Sequence, residues 1–341
     1  MLIWIGFLVL VAALLALDLG VFNKDAHNIS AKEAFRWTGV WVSFSLLFSI
    51  FIYFAYENHW VHENGAPFSG EKAVITYLTG YLVEQSLSID NIFVIAVIFT
   101  YFRIPQKYQH RVLFWGIIGA VLFRGLMIVI GAALLHRFSW ITYIFGGILL
   151  YTAYRMLRQK DHDEDVEVDK NPLVALAKRF FPVTDRFHDQ KFFVKIGGAT
   201  AATPLFIALL VVETTDILFA FDSIPAIFAI TTDPFLVFTS NIFAILGLRS
   251  LYFVLASMLD KFQYLRYSLV VILAFVGIKM FLVHHIDLPE WLSLAVIALS
   301  LAAGILPSLP EVLQQRREEV KDSIREVEGA TERSRSAEKA E

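Results

Sequence analysis

The sequence contains no cysteine, which excludes a disulfide, a thiolate metal ligand and a cysteine nucleophile. Any metal held by this chain is held by oxygen or imidazole. Positive charge is missing from two long stretches: no Lys or Arg lies between Lys72 and Arg103, and none between Lys195 and Arg249. The amino terminus lacks it as well. Leu2 to Leu17 is apolar, has no basic residue before it and is longer than the apolar core of a signal peptide, so a membrane helix is expected there rather than a cleavable signal. The first basic residues, Lys24, Lys32 and Arg36, follow that run and predict a first helix with its N-terminus outside.

What the chain has in abundance is apolar surface. Of its 341 residues 57% are hydrophobic and 31 are Phe, and the mean hydropathy is +0.60, beyond the range of a soluble globular domain. Runs of this length place most of the chain in a bilayer. The lipid bilayer is therefore the expected partner, and nucleic acid is not. The formal net charge of -3 decides little, because charge is segregated by position.

Hydropathy predicts an all-α polytopic protein of nine membrane helices. They run over about Leu2–Val21, Trp37–Tyr56, Ala73–Tyr101, Val112–Leu135, Trp140–Met156, Ala202–Ser223, Phe235–Met258, Tyr267–Val283 and Glu290–Leu309. The odd-numbered connections and the tail carry nearly all Lys and Arg outside the spans, which predicts N-outside and C-inside. Residues 1–310 then form a transmembrane domain with a cytoplasmic loop at about 157–200, and 311–341 a charged cytoplasmic tail.

Two stretches inside the spans break the apolar pattern. Glu84 and Asp90, followed by Asn91, lie in the third helix; Asp216 and Asp222, followed by Ser223, lie in the sixth. A carboxylate at bilayer depth costs roughly 2.5–3.5 kcal/mol even on lenient insertion scales, so such residues are functional candidates. The following helices also correspond. Phe123-Arg124 matches Leu248-Arg249, and Phe145-Gly-Gly147-Ile matches Phe275-Val-Gly277-Ile. With nine spans these triplets run antiparallel, which predicts a 3+3 inverted repeat of helices 3–5 and 6–8 with a site near the midplane.

Within the spans, Glu84, Asp90, Glu213, Asp216 and Asp222 stand against Arg124, Arg249 and Lys279. The excess of acids suits a divalent cation or two protons, and so suggests exchange of one for the other. Carboxylates with Asn and Ser oxygens suit hard cations such as Mn²⁺, Mg²⁺ or Ca²⁺. Residues six apart on a helix are displaced by about 9 Å and 120°. Both acids of one stretch therefore meet one ion only if the helix is interrupted, as Pro225 suggests for the second and local bonding by Ser86 and Ser88 for the first. Asp90 and Asp222 are expected as inner ligands, with Asn91 and Ser223 adding oxygens and Glu84 and Asp216 completing the shell or carrying protons.

Other acidic and imidazole groups carry less. Asp161 to Asp169 alternates acids like a calcium loop, but Val166 stands where Gly is required and Pro172 at the twelfth position, so an EF-hand is excluded. Asn171 to Phe180 resembles an amphipathic surface helix. His59, His62, His136, His284 and His285 fall on the predicted outer face as interfacial residues.

Leu82-Val-Glu84-Gln-Ser-Leu-Ser-Ile-Asp90-Asn-Ile-Phe-Val, Glu213-Thr-Thr-Asp216-Ile-Leu-Phe-Ala-Phe-Asp222-Ser-Ile-Pro-Ala-Ile and Thr239-Ser-Asn241-Ile-Phe-Ala-Ile-Leu-Gly-Leu-Arg249 resemble the TerC family of bacterial inner-membrane proteins, nearest to its Alx branch. Ala16-Leu-Asp18-Leu-Gly-Val-Phe adds to the resemblance, which covers roughly Leu2 to Leu309. It implies export of Mn²⁺ from the cytoplasm, with Asn241 and Asp18 among the supporting positions. Mn²⁺ is then cargo; no permanently bound cofactor and no enzymatic activity is expected. A metal- or pH-responsive scaffold, and an exporter of another small cation, are the alternative readings. An intramembrane aspartyl protease fits poorly, since Asp90 and Asp222 follow Leu-Ser-Ile and Phe-Ala-Phe.

Overall fold

The computed structural model describes residues 2–17, 31–61, 69–138, 140–158, 174–176, 179, 181–184, 186–196, 199–256, 265–282 and 289–308. Among them are nine α-helices of sixteen residues or more: α1 (Leu2–Leu17), α2 (Ala31–Glu57), α3 (Gly70–Tyr101), α4 (Gln106–Arg137), α5 (Ile141–Arg158), α6 (Pro204–Phe228), α7 (Pro234–Ala256), α8 (Leu265–Leu282) and α9 (Glu290–Ile305). A two-stranded antiparallel hairpin, β1 (Phe193–Ile196) and β2 (Ala199–Ala202), precedes α6, with Phe193 opposite Ala202. The chain is an all-α membrane protein. Five helices, α2, α3, α4, α6 and α7, are long and apolar enough to cross a bilayer by length and composition alone.

Helix starts follow local chemistry. Ser69 caps α3 by accepting from the Lys72 amide at 3.2 Å. Asp233 caps α7, its Oδ1 accepting from the amides of Phe235 (2.8 Å) and Leu236 (3.0 Å). Proline stands at or just before the starts of α4, α6, α7 and α9, where its missing N–H costs nothing. Inside α6 the outcome differs from expectation. The helix continues past Pro225 to Phe228, and the Ala229 amide bonds back to the Pro225 carbonyl at 3.0 Å. Nor is α3 interrupted between Glu84 and Asp90. Ser86 does bond back to the Leu82 carbonyl, but Ser88 turns to the Glu84 carboxylate instead.

The helices of the two expected triplets pack in an exchangeable pattern: α3 lies on α7 as α6 lies on α4, while α5 and α8 pack on each other. At that last crossing the backbones meet. A Cβ on Gly146 would lie 3.1 Å from the Gly277 carbonyl, and one on Gly277 would lie 3.1 Å from the Gly146 carbonyl. The flanking contacts are reciprocal too, Phe281 against Gly146 and Leu150 against Gly277. The packing register thus pairs Gly277 with Gly146, one residue from the Gly147 that motif matching selects, because Gly147 faces open space.

The two ends of the bundle differ. At one end the hairpin packs on the starts of α4 and α6: the Arg111 guanidinium lies 5.1 Å from the Phe192 ring centre, and the Phe193 and Phe206 rings are 4.4 Å apart. At the other, the Tyr56 hydroxyl of α2 donates to Asp233 at 2.8 Å. α3 and α7 run toward the hairpin end, α4 and α6 away from it.

Candidate functional site

Arg124 of α4 is 1% exposed, and the hydrogen bonds of its guanidinium end on α3 and α6. Nε and Nη2 grip Asp216 side-on, at 3.3 Å to Oδ2 and 3.0 Å to Oδ1. Nη1 pairs with Glu84 Oε1 and also donates to the Ser223 hydroxyl at 3.2 Å. Glu84, itself 1% exposed, accepts from Asn241 Nδ2 of α7 at 2.8 Å and from Ser88 Oγ at 3.3 Å. The Asn91 amide sits with its oxygen accepting from Arg124 Nη2 (3.2 Å) and its nitrogen donating to the Leu87 carbonyl (3.3 Å). The opposite orientation, with the nitrogen 3.4 Å from Asp216 Oδ1, would leave the oxygen facing only acceptors.

Four helices therefore bring together six of the expected residues: Glu84, Asn91, Arg124, Asp216, Ser223 and Asn241. Two carboxylates share one buried guanidinium, an arrangement sustained only by close geometry and further hydrogen bonds. The carboxylate from α3 and the one from α6 are the two first acids of the matched stretches.

The second acids are placed differently. Asp222 accepts from the Thr152 hydroxyl of α5 at 2.8 Å, while the next residue, Ser223, faces Arg124. Asp90 is half-buried beside Asn91. Glu213 lies against Gly119 of α4, its carboxylate filling the space that a Cβ there would need, and its Oε2 is buried without a hydrogen-bond partner. Lys279 donates to Ser293 of α9 at 3.0 Å, and Arg249 is buried on α7. Asp18, the acidic run 161–169, the tail and His62, His284 and His285 lie outside the described residues, as does most of 171–180. Sequence reasoning gave Ser88 only a helix-bending role and passed over Thr152 and Gly119. Ser88 had a signal, four residues after Glu84 on one helix face; Thr152 and Gly119 had none.

A cavity of about 20 Å³, space for one water, abuts Arg124, Asp216 and Asn91. Its other walls include Gly116 and Ala120 before Arg124 on α4, Ile95 after Asn91 on α3 and Leu248 after Asn241 on α7. Given the helix directions, the cavity lies on the hairpin side of the cluster. On the other side Tyr77 and Tyr81 are buried, with Tyr77 bonded to Ser45 of α2 at 2.9 Å.

The pattern of the integral membrane protein TerC family matches residues 69–318, a span that includes every member of this cluster. The chain belongs to the TerC family. A Myxococcus xanthus relative, named an uncharacterized membrane protein (STKORF319), is 48% identical over 307 residues, covering 90% of this chain and 92% of its own. The Alx protein of Escherichia coli K12, whose name includes the words "membrane-bound redox modulator", is 44% identical over 297 residues, covering 87% of this chain and 90% of its own. An uncharacterized membrane protein of Rickettsia bellii is 44% identical over 306 residues, covering 90% and 96%. No solved structure matches this TerC chain.

Proposed function

We propose that this TerC protein exports a hard divalent cation, Mn²⁺ foremost, from the cytoplasm in exchange for protons, and that Glu84 and Asp216 are the carboxylates the ion meets. The observation that carries this reading is the convergence of those two acids, one from each matched triplet, on a single buried cationic position. A site made for one cation at the centre of a membrane protein is the arrangement a transporter of cations needs.

The reading includes nine spans, N-outside, with α3–α5 and α6–α8 as inverted halves. The exchangeable packing of those six helices and the reciprocal Gly146–Gly277 crossing support it. The hairpin end is then cytoplasmic, and the cavity is the route of entry, at the inner membrane of a bacterial cell. Among the described residues no three Asp, Glu or His side chains form a metal cage by themselves. Amide oxygens of Asn91 and Asn241 therefore complete the shell, while the Ser223 hydroxyl serves the guanidinium. Asn241 Oδ1 is buried without a hydrogen-bond partner and is suited to that part. Asp90 and Asp222 flank the site as approach positions.

Redox modulation in a relative's name is compatible with this chemistry. With no thiol in the chain, a redox effect by way of cysteine is closed, whereas moving an ion that itself changes oxidation state is open.

Flux of Mn²⁺ into or out of proteoliposomes tests the proposal. Glu84→Gln and Asp216→Asn each abolish flux while the protein remains folded, and Asp161→Asn in the loop leaves it unchanged. Undiminished flux in both site variants refutes the assignment.

A further inference from the structure

In this structure the place between the two carboxylates is already taken by a cation. Arg124 engages both oxygens of Asp216 and Oε1 of Glu84. A metal ion bonded to both acids and the guanidinium cannot hold the same oxygens at once. Arg124 also lines the cavity on the hairpin side, so its side chain has a direction in which to withdraw, although space for one water does not admit a guanidinium. Withdrawal therefore requires α3, α4 and α6 to separate there.

Resting on the export reading above, we propose that Arg124 is a tethered substitute for the cargo: the guanidinium and the divalent cation occupy the Glu84–Asp216 pair by turns. This exchange has two effects. A monovalent ion that replaced the guanidinium would bring no more charge to the two carboxylates than it displaced, and would leave the guanidinium without its partners. A divalent ion brings one charge more, in a medium where each charge counts heavily. Arg124 thus sets a threshold that favours divalent over monovalent cations. Its return also displaces the bound ion, so the site does not become a trap.

A merely structural Arg124, bracing α3 to α6, makes the opposite prediction. Removing a brace loosens the acids and weakens ion binding; removing a competitor strengthens it. Mn²⁺ binding to the full-length chain in detergent, read from the loss of the free-ion paramagnetic resonance signal, separates the two. Arg124→Gln is expected to bind Mn²⁺ about tenfold or more tightly than the unmodified chain, to lose its preference over Na⁺ and to release the ion slowly in proteoliposomes. Ser223→Ala keeps the charge and removes only the hydroxyl that accepts from Nη1. It is expected to bind Mn²⁺ about two- to fivefold more tightly, since a weakened hold on the competitor shifts the balance toward the ion. It decides the matter should Arg124→Gln fail to fold. Binding that these variants leave unchanged or weaken overturns this inference alone. Absence of Mn²⁺ binding by every form, the unmodified chain included, overturns both it and the export reading.

Discussion

At the scale of single residues, Asn241 shows how much the cluster depends on uncharged partners. It is fully buried and donates to the Glu84 oxygen that Arg124 does not take. A hydrogen bond to a charged group contributes about 1.5–3 kcal/mol. Asn241→Ala is accordingly expected to lower unfolding free energy in detergent by about 2 kcal/mol, and by about 1 kcal/mol in a Glu84→Gln background, where the acceptor is neutral. Equal losses in both backgrounds would show that Asn241 acts elsewhere. Acids inside the spans stand out in the sequence, but it favours Asp90 and Asp222 as the inner pair, whereas Glu84 and Asp216 are the ones that meet Arg124. The partners of these acids are not legible there: nothing local tells that Asp222 faces Thr152 while Asp216 faces Arg124. That is decided by the rotation of α6 against α4 and α5, a tertiary quantity.

Among elements, the strongest sequence signals were helix ends set by backbone chemistry. The end of α3 at Tyr101 was expected and found, since the turn at Arg103 and Pro105 follows it. Proline was the misleading residue. Pro225 reads as a helix end, yet α6 passes it, because the turn beyond is held by packing of Ile227 and Phe228 in the core. The start of α7 rests on Asp233, which caps two amides and binds Tyr56 of α2. Loss of a cap costs about 1 kcal/mol and loss of the tyrosine bond about 1 kcal/mol more. Asp233→Ala should therefore lower the melting temperature measurably, whereas Asp233→Asn, which can still cap, should restore most of it. A melting temperature unmoved by Asp233→Ala would remove the cap from the account.

For the whole molecule, the absence of cysteine makes orientation directly measurable. Asn58, at the end of α2 away from the hairpin, and Lys195, in β1, are both exposed. In intact cells a membrane-impermeant maleimide is expected to label Asn58→Cys and to spare Lys195→Cys until the cells are opened. The reverse pattern would invert the topology and place the cavity on the outer side. The expected pairing of triplets rests on the charged positions, which carry no information on how α5 and α8 pack. Motif matching aligns Gly147 with Gly277, while the contacts align Gly146, because sequence similarity cannot say which glycine of a pair faces the neighbouring helix. That crossing has a mechanical consequence. Where backbone rests on backbone there is no side chain to change rotamer and little room to slide, so α5 and α8 keep their separation at this one level whatever their ends do. Any relative tilt of the two helices then turns about that level.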